Sequence, residues 1–455
     1  MVIIEDEIKK LVKRENEVGL DDVRISGVPV WNVLKYDIRR RYFLEKGICD
    51  SVQSAKGKVV FKESLKGMWM SFVRLHKLLL FPTKADNLIM GFSRLDNIEG
   101  EFIDRFIDPV VEMTDLKNNY ICFEYGRTGI HLHPRKNIEH TYYTDYIYLL
   151  SFLCGLLFAY PYLLMHYGKI NNLAKRISEA MDLNMKPHDL ARRILTFNCN
   201  AFIFSVIMSR IRAKRVFGVS RILFRHVAFA AKRKGLPVYE FQHGITLGPT
   251  ELYSGNYIPE IDPDYFLVFG ESCPDNVFGI PSQKLVDIGF AFRDYLKNII
   301  SSDRFDNCCL VISEPAISDQ IIDAVALLSE KYPEIEFHIR RHPQEVFSEK
   351  QKARIASLNN VSDATNKKNS ILVAMSYDYI IGENSTVLFE GLSLGKKVAR
   401  LNICSLYPVK RDDNDAFYYI DNVEDFDHYL KGPVKHSSKS VYTEFNVELF
   451  NSFLK

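Results

Sequence analysis

Tyr239-Glu240-Phe241-Gln242-His243-Gly244 is the stretch on which the reading of the fold turns. It reads as a short buried strand that ends in a polar turn. Pro237 opens it, and Val238, Tyr239 and Phe241 carry the β preference. Gly244 lets the backbone turn sharply after the strand's carboxyl end. Ligands of open α/β sheets bind at that edge, and an imidazole there can serve as general base or acid near neutral pH. A lone His in a turn is more simply read as packed there. Two later stretches alter that reading.

Outward from this stretch, Lys214–Val219 reads as a strand and Arg221–Lys234 as a helix, so the unit is strand–helix–strand and its sheet is parallel. Tyr265–Phe269 and Val286–Gly289 add strands downstream. Upstream, Asn87–Phe92 and Tyr120–Glu124 are strands, with Arg94 and Glu124 at their ends. Arg94 is a candidate anion ligand. The run Gly100–Pro109, with Glu101 and Asp104, is expected to open a helix ending near Leu116. In the second half, Arg340-Arg341-His342-Pro343 follows the strand Glu336–Ile339, and Gly382-Glu383-Asn384-Ser385-Thr386 follows the strand Tyr377–Ile381. A strand ending at Ser313 precedes both, and Lys397–Asn402 follows. The fold class is therefore α/β, with two Rossmann-like doubly wound domains expected to face a cleft. The polar segment 294–307 is read as the linker. Residues 1–300 are assigned to the first domain, with helical additions at about 1–85 and 145–213. Residues 305–422 form the second, and 423–455 are expected to be helices packing back on the first.

The length of 455 residues exceeds one core. A net charge of +2 gives no electrostatic case for nucleic acid. Eight Cys show no CxxC pair or metal spacing, which fits a reducing compartment. The charged start, Met1–Arg14, has no apolar signal core, so a cytoplasmic location is expected. Tyr146–Met165 carries no charge and approaches the length of a span. Its tyrosines and Pro161 favour a buried or interfacial helix, and peripheral association with the inner face of the cytoplasmic membrane is expected through it. Arg39-Arg40-Arg41 is read as a solvated helix end, with contact to anionic lipid heads as the minority reading.

The turns of the second half suit a nucleotide. Ser385 or Asn384 can cap the helix Thr386–Leu394, whose first-turn N–H groups then bind phosphate oxygens. Capping alone also explains those residues. Glu390, one turn in, can accept from a ribose hydroxyl. Pro343 holds open the turn on which His342 can neutralise phosphate charge. Arg340 and Arg341 alternate faces, so at most one points to the ligand.

Gln242-His243-Gly244, His342-Pro343, and Glu383-Asn384-Ser385-Thr386 with Glu390, in that order, resemble the bacterial capsule and surface-polysaccharide glycosyltransferases of the GT-B fold. Kdo transferases and, more distantly, sialyl- and polysialyltransferases belong to that group. The similarity covers roughly 214–402. It implies inverting, metal-independent transfer of a CMP-linked acidic sugar such as Kdo to a glycan or lipid-linked acceptor, with no cofactor. By the resemblance, the first domain holds the acceptor, with Arg94, Gln242 and Gly244 beside it. The second holds the nucleotide-sugar through Ser313, Arg341, His342, Pro343, Glu383, Asn384, Ser385, Thr386 and Glu390. Related sialyltransferases carry an acid where His243 stands, so the base is His243 or one of Glu101, Asp104 and Glu124. No DxD stands at a strand end; Asp412-Asp413-Asn414-Asp415 falls in a late polar loop.

Three other readings remain. A CDP-polyol phosphotransferase of the teichoic-acid type also has a His-Gly turn and a Ser-rich nucleotide turn, but transfers phosphate. A non-hydrolysing nucleotide-sugar epimerase shares the architecture; its Gly-rich opening near the N-terminus is missing here. A nucleotide-sensing membrane scaffold would gain nothing from three polar turns at one site.

Overall fold

The structure is a computed structural model of the chain. It describes residues 2–47, 61–93, 95–98, 100–125, 136–245, 250–271, 279–299, 304–315, 317–342, 345–366, 368–383, 385–402, 416–437 and 440–455. The chain forms two compact units. Met1–Val268, Cys273–Asp287 and Asn446–Lys455 make the first, and Phe269–Ser272 with Ile288–Phe445 the second.

The first unit is built on seven strands: β1 (Asn87–Met90), β2 (Tyr120–Glu124), β3 (Thr141–Tyr143), β4 (Arg215–Val219), β5 (Val238–Phe241), β6 (Tyr265–Val268) and β7 (Leu285–Asp287). Their spatial order is β3-β2-β1-β4-β5-β6-β7, parallel throughout. The second unit holds β8 (Cys308–Ile312), β9 (Glu336–Arg340), β10 (Val361–Asp363), β11 (Tyr379–Gly382), β12 (Lys397–Leu401) and β13 (Tyr418–Ile420). They lie in the order β10-β9-β8-β11-β12-β13, again all parallel. Both are doubly wound Rossmann-like sheets, so the chain is α/β as the strand–helix alternation indicates. The winding reverses between β1 and β4 in one sheet and between β8 and β11 in the other. A ligand crevice forms outside the carboxyl ends of strands at such a reversal.

The helices of the first unit are α1 (Val2–Glu17), α2 (Val30–Glu45), α3 (Phe61–Leu80), α4 (Asp108–Met113), α5 (Asp145–Met165), α6 (Tyr167–Met181), α7 (Pro187–Ile211) and α8 (Arg221–Arg233). Helix α8 packs closely on β4 because residue 218 is glycine: a Cβ there would stand 2.6 Å from the Phe224 ring. The second unit adds α9 (Ala291–Ile299), α10 (Ser318–Lys331), α11 (Glu349–Ala356), α12 (Ser370–Met375), α13 (Thr386–Ser393) and α14 (Asp425–Lys431). Helix α9 thus occupies part of the stretch expected to be a linker. Of the C-terminal helices, α14 stays with the second unit and only α15 (Val447–Ser452) lies in the first. Phe450 of α15 is fully buried against the rings of Phe217 and Phe241, and Phe453 packs on Tyr239 and Tyr265.

Two local expectations fail. Glu101–Asp104 is a strand, not the opening of a helix; it pairs antiparallel with Leu95–Ile98 across the Gly100 turn. The backbone pairing with Leu95–Ile98 closes a tight hairpin over these four residues, and it outweighs the helical reading. Arg39 is not solvated. It is 1% exposed and donates to both carboxylate oxygens of Glu15, at 2.7 and 2.5 Å, and to the carbonyls of Glu251 and Ser254. The helix turns Arg39 inward beside Ile38, leaving Arg40 and Arg41 outside.

One turn earlier, Lys35 is also buried. Loss of hydration, reinforced by the positive charges of Arg39 and Arg225 and opposed by Asp262 and Asp21, brings its pKa down to about 7. A lysine titrating near 10.5 unfolded and near 7 folded adds stability as pH rises between those values, and that stability is lost again as pH falls from 10.5 to about 7. Lys35→Met is therefore expected to raise the thermal midpoint at pH 7 and to flatten its rise between pH 7 and 10. Calorimetry across that range checks both.

Candidate functional sites at the two sheet edges

In the first unit the reversal point is framed by the turn after β1 and the start of α8. Glu240 on β5 is fully buried and reaches the α8 terminus, where it accepts from the Arg221 backbone N–H at 2.8 Å and from Arg221 Nε at 2.9 Å. Asp262 stands 3.5 Å from the other side of that guanidinium. Burial opposes the charge on Arg221, but Glu240 and Asp262 outweigh it and hold the group protonated. The helix terminus that a phosphate would use is occupied by a protein carboxylate.

His243 lies two residues beyond β5 and is half-buried. Its Nδ1 stands 2.8 Å from the Tyr253 hydroxyl, and its ring packs against Phe92 with centroids 5.1 Å apart. Burial first, and then the Glu240 charge, push Tyr253 well above the usual phenol range, so the hydroxyl keeps its proton. Arg221 lies against the Tyr253 ring, 5.1 Å from its centroid. The phenol can donate to Nδ1 or accept from it. When Nε2 takes a proton, the Nδ1–H of the imidazolium has the Tyr253 oxygen to donate to. Gln242 is buried, and its side-chain amide donates to the Gly244 carbonyl at 2.9 Å, shaping the turn.

The acids named beside His243 hold different positions. Glu101 is exposed on its hairpin strand. Asp104 is 1% exposed and accepts the backbone N–H groups of Phe92, Ser93 and Phe106 at 3.0–3.1 Å. Those bonds fix the turn after β1, in which Ser93 adopts a φ of 56°. Glu124 is fully buried at the end of β2. A Cβ on Gly91 would lie 3.3 Å from Asp104 Oδ2 and 3.7 Å from Glu124 Cγ. Asp104, Glu124 and, through Phe92, His243 therefore gather around Gly91–Ser93, while Glu101 does not. Arg94 lies outside the described residues, as do Pro343, Asn384 and the acids at 412–415.

In the second unit the ends of β8, β9 and β11 line the reversal point. Glu345 ties two of them together: it accepts from the Ser313 hydroxyl at 2.8 Å and from the His342 backbone N–H at 2.9 Å. Its own N–H donates to the His342 carbonyl at 2.9 Å, closing the turn. This leaves the His342 ring exposed at the edge. Ser385 caps α13: its hydroxyl accepts from Val387 N–H at 3.4 Å and its carbonyl from Leu388 N–H at 3.1 Å. Glu390 is buried and accepts from the Ser370 hydroxyl at 2.7 Å. Of the two arginines, Arg341 is held by Asp363 at 3.2 Å and by Thr365. It is Arg340, bonded to Asn366 and Lys368, that interacts electrostatically with Glu390. Burial pushes Arg340 down against that partner's charge.

Sequence reading passes over Tyr253 and Glu345 and, of the two arginines, assigns Arg341 to the nucleotide where the structure sets Arg340 beside Glu390. Tyr253 carries no local signal, since it reaches back ten positions from an irregular loop. Glu345 does: an acid three residues after a turn residue can return to that residue's N–H, as in a cap.

No protein-family model matches the chain, and no curated protein matches it in sequence. Solved structures do. A UDP-GlcNAc 2-epimerase from Neisseria meningitidis bound to UDP-GlcNAc superposes with a TM-score of 0.48 and 13% identity, over 81% of this chain and 98% of that one. A UDP-GlcNAc 2-epimerase from Methanocaldococcus jannaschii gives 0.46 and 10%, again over 81% and 98%. The lipopolysaccharide outer core galactosyltransferase WaaB in its apo form gives 0.39 and 12%, over 76% and 90%. At these values the resemblance does not choose between isomerisation and transfer.

Proposed function

We propose that this chain is a glycosyltransferase of cell-surface polysaccharide assembly. It transfers an acidic sugar from a CMP-linked donor to a glycan or lipid-linked acceptor, with inversion and without a metal. The observation that carries the reading is the division of labour between the two sheet edges. The first has its helix-terminal anion position filled by Glu240 and presents an imidazole backed by a phenol. The second presents the capped start of α13, an exposed His342 and the pair Arg340 and Glu390. The first suits deprotonation of an acceptor hydroxyl, and the second a nucleotide phosphate.

In this mechanism Nε2 of His243 takes the acceptor proton as the glycosidic bond forms, and Tyr253 receives the Nδ1–H of the resulting imidazolium. Asp104 holds the turn beside it, and Glu124 lies next to Gly91. His342 and the first turn of α13 carry the charge of the departing nucleotide, and Glu390, held by Ser370 beside Arg340, contributes a negative charge at that edge.

A thermal-shift screen of CMP, CDP, UDP and GDP tests the donor, each with EDTA. Stabilisation follows RT ln(1 + [L]/Kd), about 2.7 kcal/mol at a hundredfold excess over Kd. CMP is expected to stabilise selectively in EDTA. Stabilisation by UDP alone, or only with Mg²⁺ or Mn²⁺, rejects the donor assignment. Release of CMP with a polyol phosphate on the acceptor would identify the phosphotransferase instead. Glu345→Ala is expected to weaken nucleotide binding with little change in melting temperature, because it frees the His342 turn; calorimetric titration measures the first effect and a melting curve the second.

A further inference from the structure

Helix α5 is apolar on every side, yet most of it is outside the protein. It lies along α7 through one narrow stripe, Ile147, Ser151, Gly155, Ala159 and Leu163. The small residues bring the helices close; a Cβ on Gly155 would meet Thr196 Oγ1 at 2.1 Å. Around the rest of α5, Leu153, Leu156, Leu157 and Phe158 are 40–68% exposed. The neighbouring helices continue the surface. Trp69 of α3 is 65% exposed and Phe202 of α7 is 69% exposed. Helix α3 joins α5 through Phe72 and Tyr146, and α7 through Arg210, which donates to the Leu79 carbonyl at 3.0 Å. A cavity of about 340 Å³ lies between α5 and α7 on this face, walled by Leu150, Cys154, Phe202 and Ile203. Soluble surfaces rarely leave so continuous an apolar area uncovered.

The charges around it point to the cover. No charged residue occurs in 146–165. Where α3 and α7 end together, Lys77, Lys84, Arg210 and Arg212 are exposed beside Leu80 and Phe81. The nearby Asp86 is occupied by Lys214 at 2.7 Å. An apolar face carrying Trp, Tyr, Leu and Phe and edged by cations is complementary to the headgroup–acyl boundary of an anionic bilayer. Because α5 is tied lengthwise to α7, whose other side is in the core, the helices lie on the bilayer.

We infer that the α3–α5–α7 face docks in the plane of an anionic membrane, with α5 immersed among the acyl chains and the Lys77–Arg212 edge on the headgroups. This rests on the exposed helices alone and not on the proposed chemistry.

The chain carries its own probe. It has two tryptophans, and Trp31 is 1% exposed, so any change on adding vesicles reports Trp69. With vesicles of phosphatidylcholine and phosphatidylglycerol, the full chain is expected to float with the lipid, and its emission to shift to the blue and be quenched by brominated acyl chains. Trp69→Phe should abolish both spectral changes. Reversing Lys77, Lys84 and Arg212 to Glu should weaken binding to anionic vesicles by more than fivefold per residue, about fivefold for each cation lost plus the repulsion of the new carboxylate, and leave weak binding to pure phosphatidylcholine nearly unchanged. These residues are exposed, so the triple variant is expected to fold, and its melting curve confirms it. Emission unchanged by vesicles and a chain that stays unbound would overturn the inference. So would a stable dimer in light scattering whose Trp69 emission is already blue-shifted, since a second copy would then cover the face. Triple-variant binding equal to wild type would remove the anionic preference.

Discussion

His243→Ala is expected to lower turnover by about 10²–10⁴-fold, the range a positioned general base contributes, while leaving nucleotide affinity close to that of the unaltered chain. The expectation follows from placement. His243 belongs to the first unit, where Tyr253 holds Nδ1 at 2.8 Å and Phe92 packs on the ring. The edge with the capped helix α13 belongs to the second. His342→Ala should therefore weaken nucleotide binding as well as turnover. Tyr253→Phe offers a finer check. It removes the partner of Nδ1 but leaves the ring, so it should shift the pH profile of kcat/KM by changing what supports the imidazolium. Near-full turnover in His243→Ala would make that residue structural and move the search to Asp104 and Glu124. Equal loss of nucleotide binding in both His variants would reject the assignment of donor and acceptor to separate units.

The second large effect is on stability. Arg221→Met leaves Glu240 buried without its guanidinium, and Asp262 without a partner on that side. Breaking a buried pair by removing one member costs about 3–5 kcal/mol, because the remaining charge keeps its desolvation penalty. Chemical denaturation should show that loss at pH 7. Glu240→Gln is expected to be milder, since the amide still accepts the Arg221 backbone N–H. If Arg221→Met melts like the unaltered chain, the pair does not stabilise the first sheet edge, and Tyr253 must be held by something else.

These two sites show what a linear reading can reach. The strands ahead of His243, Arg341 and Glu383 are legible because buried parallel strands read as short apolar runs, and polar residues start where the sheet ends. Helix starts such as Ser385 are legible for a similarly local reason: a cap sits next to what it caps. What joins distant segments leaves no such trace. Tyr253 comes from a loop without periodicity, and nothing in its neighbourhood marks it as facing His243. Arg39 stands in a run of three arginines that any pattern rule puts in water, and Glu15 on another helix, with the carbonyls of Glu251 and Ser254, makes its burial tolerable. Glu101–Asp104 is misread because a four-residue hairpin strand is shorter than the window in which either period becomes clear.

Helix α15 bears on how the chain is made. Residues 446–455 belong to the first unit, yet every residue of the second is synthesised before them. The aromatic surface of Phe217, Tyr239, Phe241 and Tyr265 must therefore wait, uncovered, while roughly a third of the chain emerges behind it. Segments that bury hydrophobic surface only late in synthesis are where nascent chains aggregate or recruit chaperones. The first sheet is thus covered only after the second unit is made, and its yield during expression should depend on how fast the second unit is translated.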